Sequence, residues 1–295
     1  MTEIAVVGPG AVGTFFAAHL AAAGRDVVSC ARRPFDRYVV ESKQSPVEAP
    51  AVVLTDPAAV AGPVPWVLVG VKAHQTAGAA GWLERLCDGD TRVVAVQNGV
   101  EAVERLTPYV NGAEVIASVV YCGAQLAGPG HTLHSSSGHL FVPDTPSSHE
   151  LAKLFAGSGA EIRPTSDHVT ELWRKLGMNV TLNGVTALTD RPTSVVGQPE
   201  VRVLAERLLG EAWAVGRAEG ADLDDSGTGR LLDGMARHDG ITSMLQDRRA
   251  GRPTEHDALY GAVVRIGARH GIDTPANEAL LGLLAGADPQ PASYG

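Results

Sequence analysis

Residues 4–13 read IAVVGPGAVG, a β-branched run that ends in three glycines, Gly8, Gly10 and Gly13, where a helical stretch begins. That spacing suits one chemistry. The first glycine permits a tight turn, the second lets backbone approach a pyrophosphate, and the third lets the helix pack close on the strand. Free N–H groups at the helix start then face the phosphates. Gly8, Gly10, Ala11, Val12 and Gly13 therefore form the expected cofactor-binding segment. With 34 glycines in the chain the spacing alone is weak, and its place between a first strand and a first helix is what points to a dinucleotide.

Outward from this segment, short apolar runs alternate with helical stretches. The runs are DVVSCA (26–31), WVLVGVK (66–72), TRVVAVQNG (91–99) and EVIASVVYC (114–122). Between them lie AVGTFFAAHLAAAG (11–24), AHQTAGAAGWLERLC (73–87) and EAVERL (101–106). Strands apolar on both faces and separated by helices predict a parallel sheet covered on both sides. Residues 123–148 are rich in Gly, Pro, His and Ser; HTLHS and HLFVP within them read as hairpins closing the sheet edge. A helix over 149–157 and a last strand near EIRPT are expected to follow. From Asp167 onward the strand signals stop, and helices are expected over 167–189, 198–219, 227–248, 254–270 and 275–285. The expected fold is thus α/β, with a parallel-sheet dinucleotide domain over 1–165 and an all-helical domain over 166–295. The tail ADPQPASYG is expected to fray.

Cofactor choice is read just past the second run, where an acidic residue suits NAD and an arginine suits the 2'-phosphate of NADP. Here the run ends SCARRP, with no acid between Val27 and Pro34. Arg32 and Arg33 point to NADPH, by bidentate pairing with phosphate. A solvated arginine pair remains the bland alternative, and of the two Arg32 is only slightly favoured over Arg33 as the phosphate partner. Lys72 and Asn98 end two later runs at the same sheet edge, where ligands of open α/β sheets bind.

A net charge of -9 argues against nucleic acid as a partner, since no basic face is implied. Cys30, Cys87 and Cys122 are too scattered for a metal or redox motif, which suits a reducing cytoplasm and predicts no metal. The N-terminus has no basic region followed by a cleavage site, and no apolar stretch is long enough for a membrane span. A soluble cytoplasmic protein is expected. A homodimer through the helical domain stays open, because amphipathic helices that pack internally read the same way.

Only four lysines occur, at 43, 72, 153 and 175, against 24 basic residues in all. Lys175 lies in WRKLGMNVTLNG (173–184), followed at four-residue steps by Asn179 and Asn183. Such steps put all three on one helical stripe. By itself the stripe is also compatible with a solvated helix face.

The succession GPGAVG, VKAHQT, QNG, ELWRKLGMNVTLNGVTAL and SMLQDRRAGRPTEHDALYGAVVRIGARHGIDTPANEAL resembles the ketopantoate reductase family, the NADPH-dependent 2-dehydropantoate 2-reductases. The resemblance covers most of the chain and is weakest over 123–165 and 190–235. It implies a Rossmann domain followed by a helical domain, and reduction of 2-dehydropantoate to pantoate for pantothenate and coenzyme A. Carried over by motif, it makes Lys175 the general acid. Asn179 and Asn183 become substrate-binding residues, and Ser243 becomes the partner of the substrate carboxylate. Glu255 is expected to bind the substrate hydroxyl and help orient the lysine. Lys72 and Asn98 match positions at the nicotinamide and ribose end of the cofactor. One departure is His256, where the family carries an aliphatic residue, and it is expected to bear on packing beneath Glu255. Two other readings stand beside this one: a reductase of another small 2-keto acid with the same fold, and a non-catalytic NADP-binding regulatory protein.

Overall fold

The computed structural model describes residues 2–43 and 45–289. The chain divides into two compact units after His168. In the first unit the order is β1 (Ile4–Val7), α1 (Ala11–Ala22), β2 (Val27–Cys30), β3 (Arg37–Ser42), β4 (Val47–Pro50), β5 (Val52–Leu54) and β6 (Trp66–Val69). There follow α2 (Ala80–Leu86), β7 (Arg92–Ala95), α3 (Ala102–Leu106), β8 (Glu114–Ala117), β9 (Val119–Gly128), β10 (His131–Pro143), α4 (Pro146–Leu154) and β11 (Glu161–Thr165).

Six strands form a parallel sheet in the order β5-β2-β1-β6-β7-β8. The chain winds outward in both directions from β1 and β6, so the crevice at their carboxyl ends is the topological switch point where such sheets bind ligands. Side chains alternate along β1 between two cores: Ile4 and Val6 join Phe16 and Leu20 of α1, while Ala5 and Val7 join Leu83, Leu86 and Leu106. Burial on both faces is why these strands read as unbroken apolar runs.

The stretch expected to close the edge of this sheet does something else. HTLHS and HLFVP are parts of one long strand, β10, which pairs antiparallel with β9 and parallel with both β3 and β11. Together with β4 they make a second, five-stranded sheet. β3 and β4 had no counterpart among the expected strands. Helix α1 is covered by this second sheet as well as the first, which explains its apolar character all round: Phe15, Phe16 and Leu20 are fully buried. His19 is buried in the same helix and donates from Nδ1 to the Ser158 carbonyl at 2.8 Å. Burial, opposed in part by that bond, holds its pKa below the ordinary value.

The second unit is helical: α5 (His168–Thr189), α6 (Pro199–Ala218), α7 (Thr228–Ala236), α8 (Ser243–Arg249), a π-helical turn at Asp257–Gly261, α9 (Ala262–His270) and α10 (Pro275–Ala287). The single helix expected over 227–248 is two. The break before α8 is made by Thr242, whose Oγ1 accepts the Leu245 N–H at 3.2 Å as an N-cap. Helices α5 and α6 approach closely because each offers a glycine to the other's tryptophan. A Cβ on Gly177 would lie 2.6 Å from Trp213 Nε1, and one on Gly216 would lie 2.9 Å from Trp173 Cβ. No described helix is long and apolar enough to cross a membrane. Of the tail expected to fray, residues 290–295 lie outside the described residues.

Candidate active site

The glycine segment forms the turn between β1 and α1. Gly8 has φ of +80°, and a Cβ there would lie 2.8 Å from the Val71 backbone nitrogen. A Cβ on Gly13 would lie 2.6 Å from the Gly8 carbonyl oxygen. Those two glycines are demanded by the protein itself. Gly10 is different: a Cβ there would meet nothing nearer than the Gly70 oxygen at 4.0 Å. Gly10 caps α1 with no side-chain hydrogen bond to the helix start. A space that the fold does not need, beside a helix N-terminus without a side-chain cap, is what a pyrophosphate requires. Gly8→Ala and Gly13→Ala are each expected to lower Tm by roughly 5 °C or more. Gly10→Ala should leave Tm within about 2 °C by differential scanning fluorimetry.

Around this turn the strand ends converge. The Gly8 N–H donates to the Cys30 carbonyl at 3.0 Å, fastening the end of β2 to the turn, and Arg32 and Arg33 follow with exposed side chains. Gly8 packs on Val71, next to the half-buried Lys72. Gln97 then links the next strand end. Only 4% exposed, it donates from Nε2 to the Val71 carbonyl at 2.9 Å and to Thr76 Oγ1 at 3.1 Å. That ties the loop carrying Lys72 to the turn carrying Asn98. Gln97 was passed over in the sequence, where its only signal was a polar residue closing an apolar run.

In the second unit, Lys175 and Asn179 are half-buried on α5, and Asn183 is only 5% exposed. The stripe is held from behind by buried Trp173, Leu176 and Val180. Two hydrogen-bonded connections run from it to the other candidate residues. Thr186 Oγ1 donates to the Asn183 carbonyl at 3.0 Å and lies 2.7 Å from Thr242 Oγ1. With the Thr186 proton so used, Thr242 donates to Thr186 while it caps α8, and Ser243, exposed, is the first residue of that helix. The second connection is Tyr260. Its hydroxyl donates to the Val180 carbonyl at 2.7 Å and accepts the Gly184 N–H at 2.6 Å, five residues past Glu255. Glu255 itself is 5% exposed, which removes the solvated helix carboxylate as its description. His256 is held by Thr254 Oγ1 at 3.0 Å and by the Asp288 carboxylate at 3.3 Å. Tyr260, Thr186 and Thr242 had no role in the sequence reading, because nothing local marks a hydroxyl whose partner is far along the chain. No group of three or more metal-ligating side chains occurs among the described residues.

The nucleotide-binding candidates thus fall in the first unit and the Lys175 set in the second, and comparison with known proteins divides the chain in the same way. A family model described as "Ketopantoate reductase PanE/ApbA" matches residues 4–147, and one for its C-terminal part matches 167–288. The 2-dehydropantoate 2-reductase of Mycobacterium tuberculosis (strain H37Rv) is 40% identical over 295 residues, covering 98% of this chain and 99% of that protein. The enzyme of the same name from Caulobacter vibrioides is 39% identical, covering 96% and 98%. Among solved structures, the 2-dehydropantoate 2-reductase of Geobacter metallireducens superposes with a TM-score of 0.89 at 29% identity, covering 97% and 99%. A PanE/ApbA family ketopantoate reductase from Ralstonia eutropha gives 0.87 at 31%, covering 97% and 98%. Matched in both units and along nearly its whole length, this chain belongs to the ketopantoate reductase family.

Proposed function

We propose that the chain is an NADPH-dependent 2-dehydropantoate 2-reductase, with Lys175 as general acid. The observation that carries the reading is the α5 stripe of Lys175, Asn179 and Asn183, joined through buried hydroxyls to the segments bearing Ser243 and Glu255. Bound NADPH would supply the hydride for the C2 carbonyl carbon of the keto acid. As negative charge grows on the carbonyl oxygen, the Lys175 ammonium stabilises it and donates the proton, leaving the alcohol. Glu255 accepts a hydrogen bond from that hydroxyl and orients the ammonium. Ser243 donates to the substrate carboxylate, and Asn179 and Asn183 fix the keto acid along the helix. Asparagine suits this task because one side chain both donates and accepts.

The first unit fits the cofactor on its own evidence. The space at Gly10 and the α1 start, which lacks a side-chain cap, would take the pyrophosphate, with Ala11 and Val12 lining it. Arg32 and Arg33, exposed beyond β2, would take the 2'-phosphate. Lys72 and Asn98 would line the nicotinamide and ribose end.

The test is NADPH oxidation with 2-dehydropantoate against pyruvate and other small 2-keto acids. A kcat/KM for 2-dehydropantoate well above the rest is expected. Preference for another keto acid would reassign the substrate, and no turnover of any would leave a non-catalytic NADP-binding protein. Replacing Arg32 and Arg33 together by alanine should raise the KM for NADPH about 10- to 50-fold, the loss of one or two charge-assisted hydrogen bonds. NADH should change by less than about threefold, since it lacks the phosphate. Equal effects on both would remove the phosphate assignment.

A further inference from the structure

Tyr260 is wholly buried, yet its hydroxyl is spent on the backbone of another helix. In an uninterrupted α-helix the Gly184 N–H would pair with the Val180 carbonyl. Here the phenol bonds to both of these groups, donating to Val180 O at 2.7 Å and accepting from Gly184 N at 2.6 Å, within a helix that runs from His168 to Thr189. A side chain inserted into the i→i−4 ladder is one of the few physical causes of a local opening or bend in a helix. Position 184 is built for it: a Cβ there would lie 2.4 Å from the tyrosine oxygen.

The contact falls between the candidate asparagines. Val180 directly follows Asn179, and Gly184 directly follows Asn183. The phenol therefore sits between the turn carrying Lys175 and Asn179 and the turn carrying Asn183. Its other end is anchored in the π-helical turn Asp257–Gly261, which begins two residues after Glu255. π-turns are rare and gather at functional sites, because the extra residue re-aims the side chains around it. Burial pushes the phenol pKa up, so the hydroxyl stays protonated and keeps donating to Val180 at any working pH.

We infer that Tyr260 is a positioning residue: by tying Val180 and Gly184 of α5 to the turn Asp257–Gly261 it sets Asn179 and Asn183, with Lys175, in register with the segment that carries Glu255. This rests on the reductase reading above. A packing role alone would be met by any aromatic ring of this size. A positioning role needs the oxygen.

Tyr260→Phe keeps the ring and removes only that oxygen. The full-length variant and parent are compared for 2-dehydropantoate kinetics, NADPH binding by fluorescence, and amide hydrogen exchange along α5. The expected result is a kcat/KM lower by about 10- to 100-fold, the range that a misplacement near 1 Å produces, carried mainly by KM. NADPH affinity should stay within about twofold, and exchange should rise more than about tenfold at Asn183–Gly184 while the turn at Trp173–Leu176 is unchanged. Kinetics within about twofold of the parent, with the variant folded, would overturn the inference even if Tm or exchange changed. If the variant does not fold, Gly184→Ala provides the second arm: its Cβ would lie 2.4 Å from the phenol oxygen and displace it while the ring is kept, so a similar rise in KM is expected, and an unchanged KM would overturn the role of the oxygen. Absence of turnover in the parent is a separate outcome, and it would remove the reductase reading and this inference with it.

Discussion

Lys175→Ala is expected to lower kcat by about 10³- to 10⁴-fold, with folding and NADPH binding retained. The magnitude combines loss of a proton donor with loss of a positive charge aimed at a developing oxyanion, each contributing about 10²-fold or more. Folding should survive for a local reason. Lys175 is half-buried, α5 is anchored by buried Trp173, Leu176 and Val180, and alanine is the best helix former. Lys175→Arg sharpens the test. A guanidinium stabilises an oxyanion but stays charged at any ordinary pH, so the arginine variant should recover substrate binding more than turnover. Single-turnover NADPH oxidation separates the two, and a kcat above about a tenth of the parent's in the alanine variant would refute the acid role.

The parts of this arrangement that local pattern records were legible. GPGAVG and the apolar runs of β1, β2, β6 and β7 are written in residues that are buried on both faces or demanded by a turn. α5 was legible over nearly its full length. The second sheet was not, because β3 and β4, RYVVES and VEAP, are short, charged and half-exposed. Val39 to Ser42 of β3 find their partner in His131 to His134, about ninety residues on. No window of local periodicity contains that pairing. The site divides by the same principle. Lys175, Asn179 and Asn183 share a helix, so their spacing was readable. Gln97 and Tyr260 were not, since what gives each meaning is a backbone group 26 or 76 residues away. Burial was equally hidden at Glu255. A lone glutamate near a helix start reads as solvated until packing shows otherwise.

Glu255→Ala is expected to reduce kcat/KM by about 10²- to 10³-fold, and Glu255→Gln by less. At 5% exposure Glu255 is packed where a lone glutamate seldom sits, so replacing it acts on groups held close around it and not on solvent. The glutamine variant keeps the shape and an acceptor for the substrate hydroxyl while removing the charge that orients an ammonium. The alanine variant removes both. A merely structural carboxylate would lower Tm and leave kcat/KM within about twofold at temperatures where the variant is folded. The double variant is more discriminating. If Glu255 acts in part through Lys175, only its contact with the substrate hydroxyl is left to lose once the lysine is gone, and adding Glu255→Ala to Lys175→Ala should cost about tenfold or less, below its cost in the parent. Multiplicative losses would instead mean that the two side chains act independently, with Glu255 serving substrate binding alone.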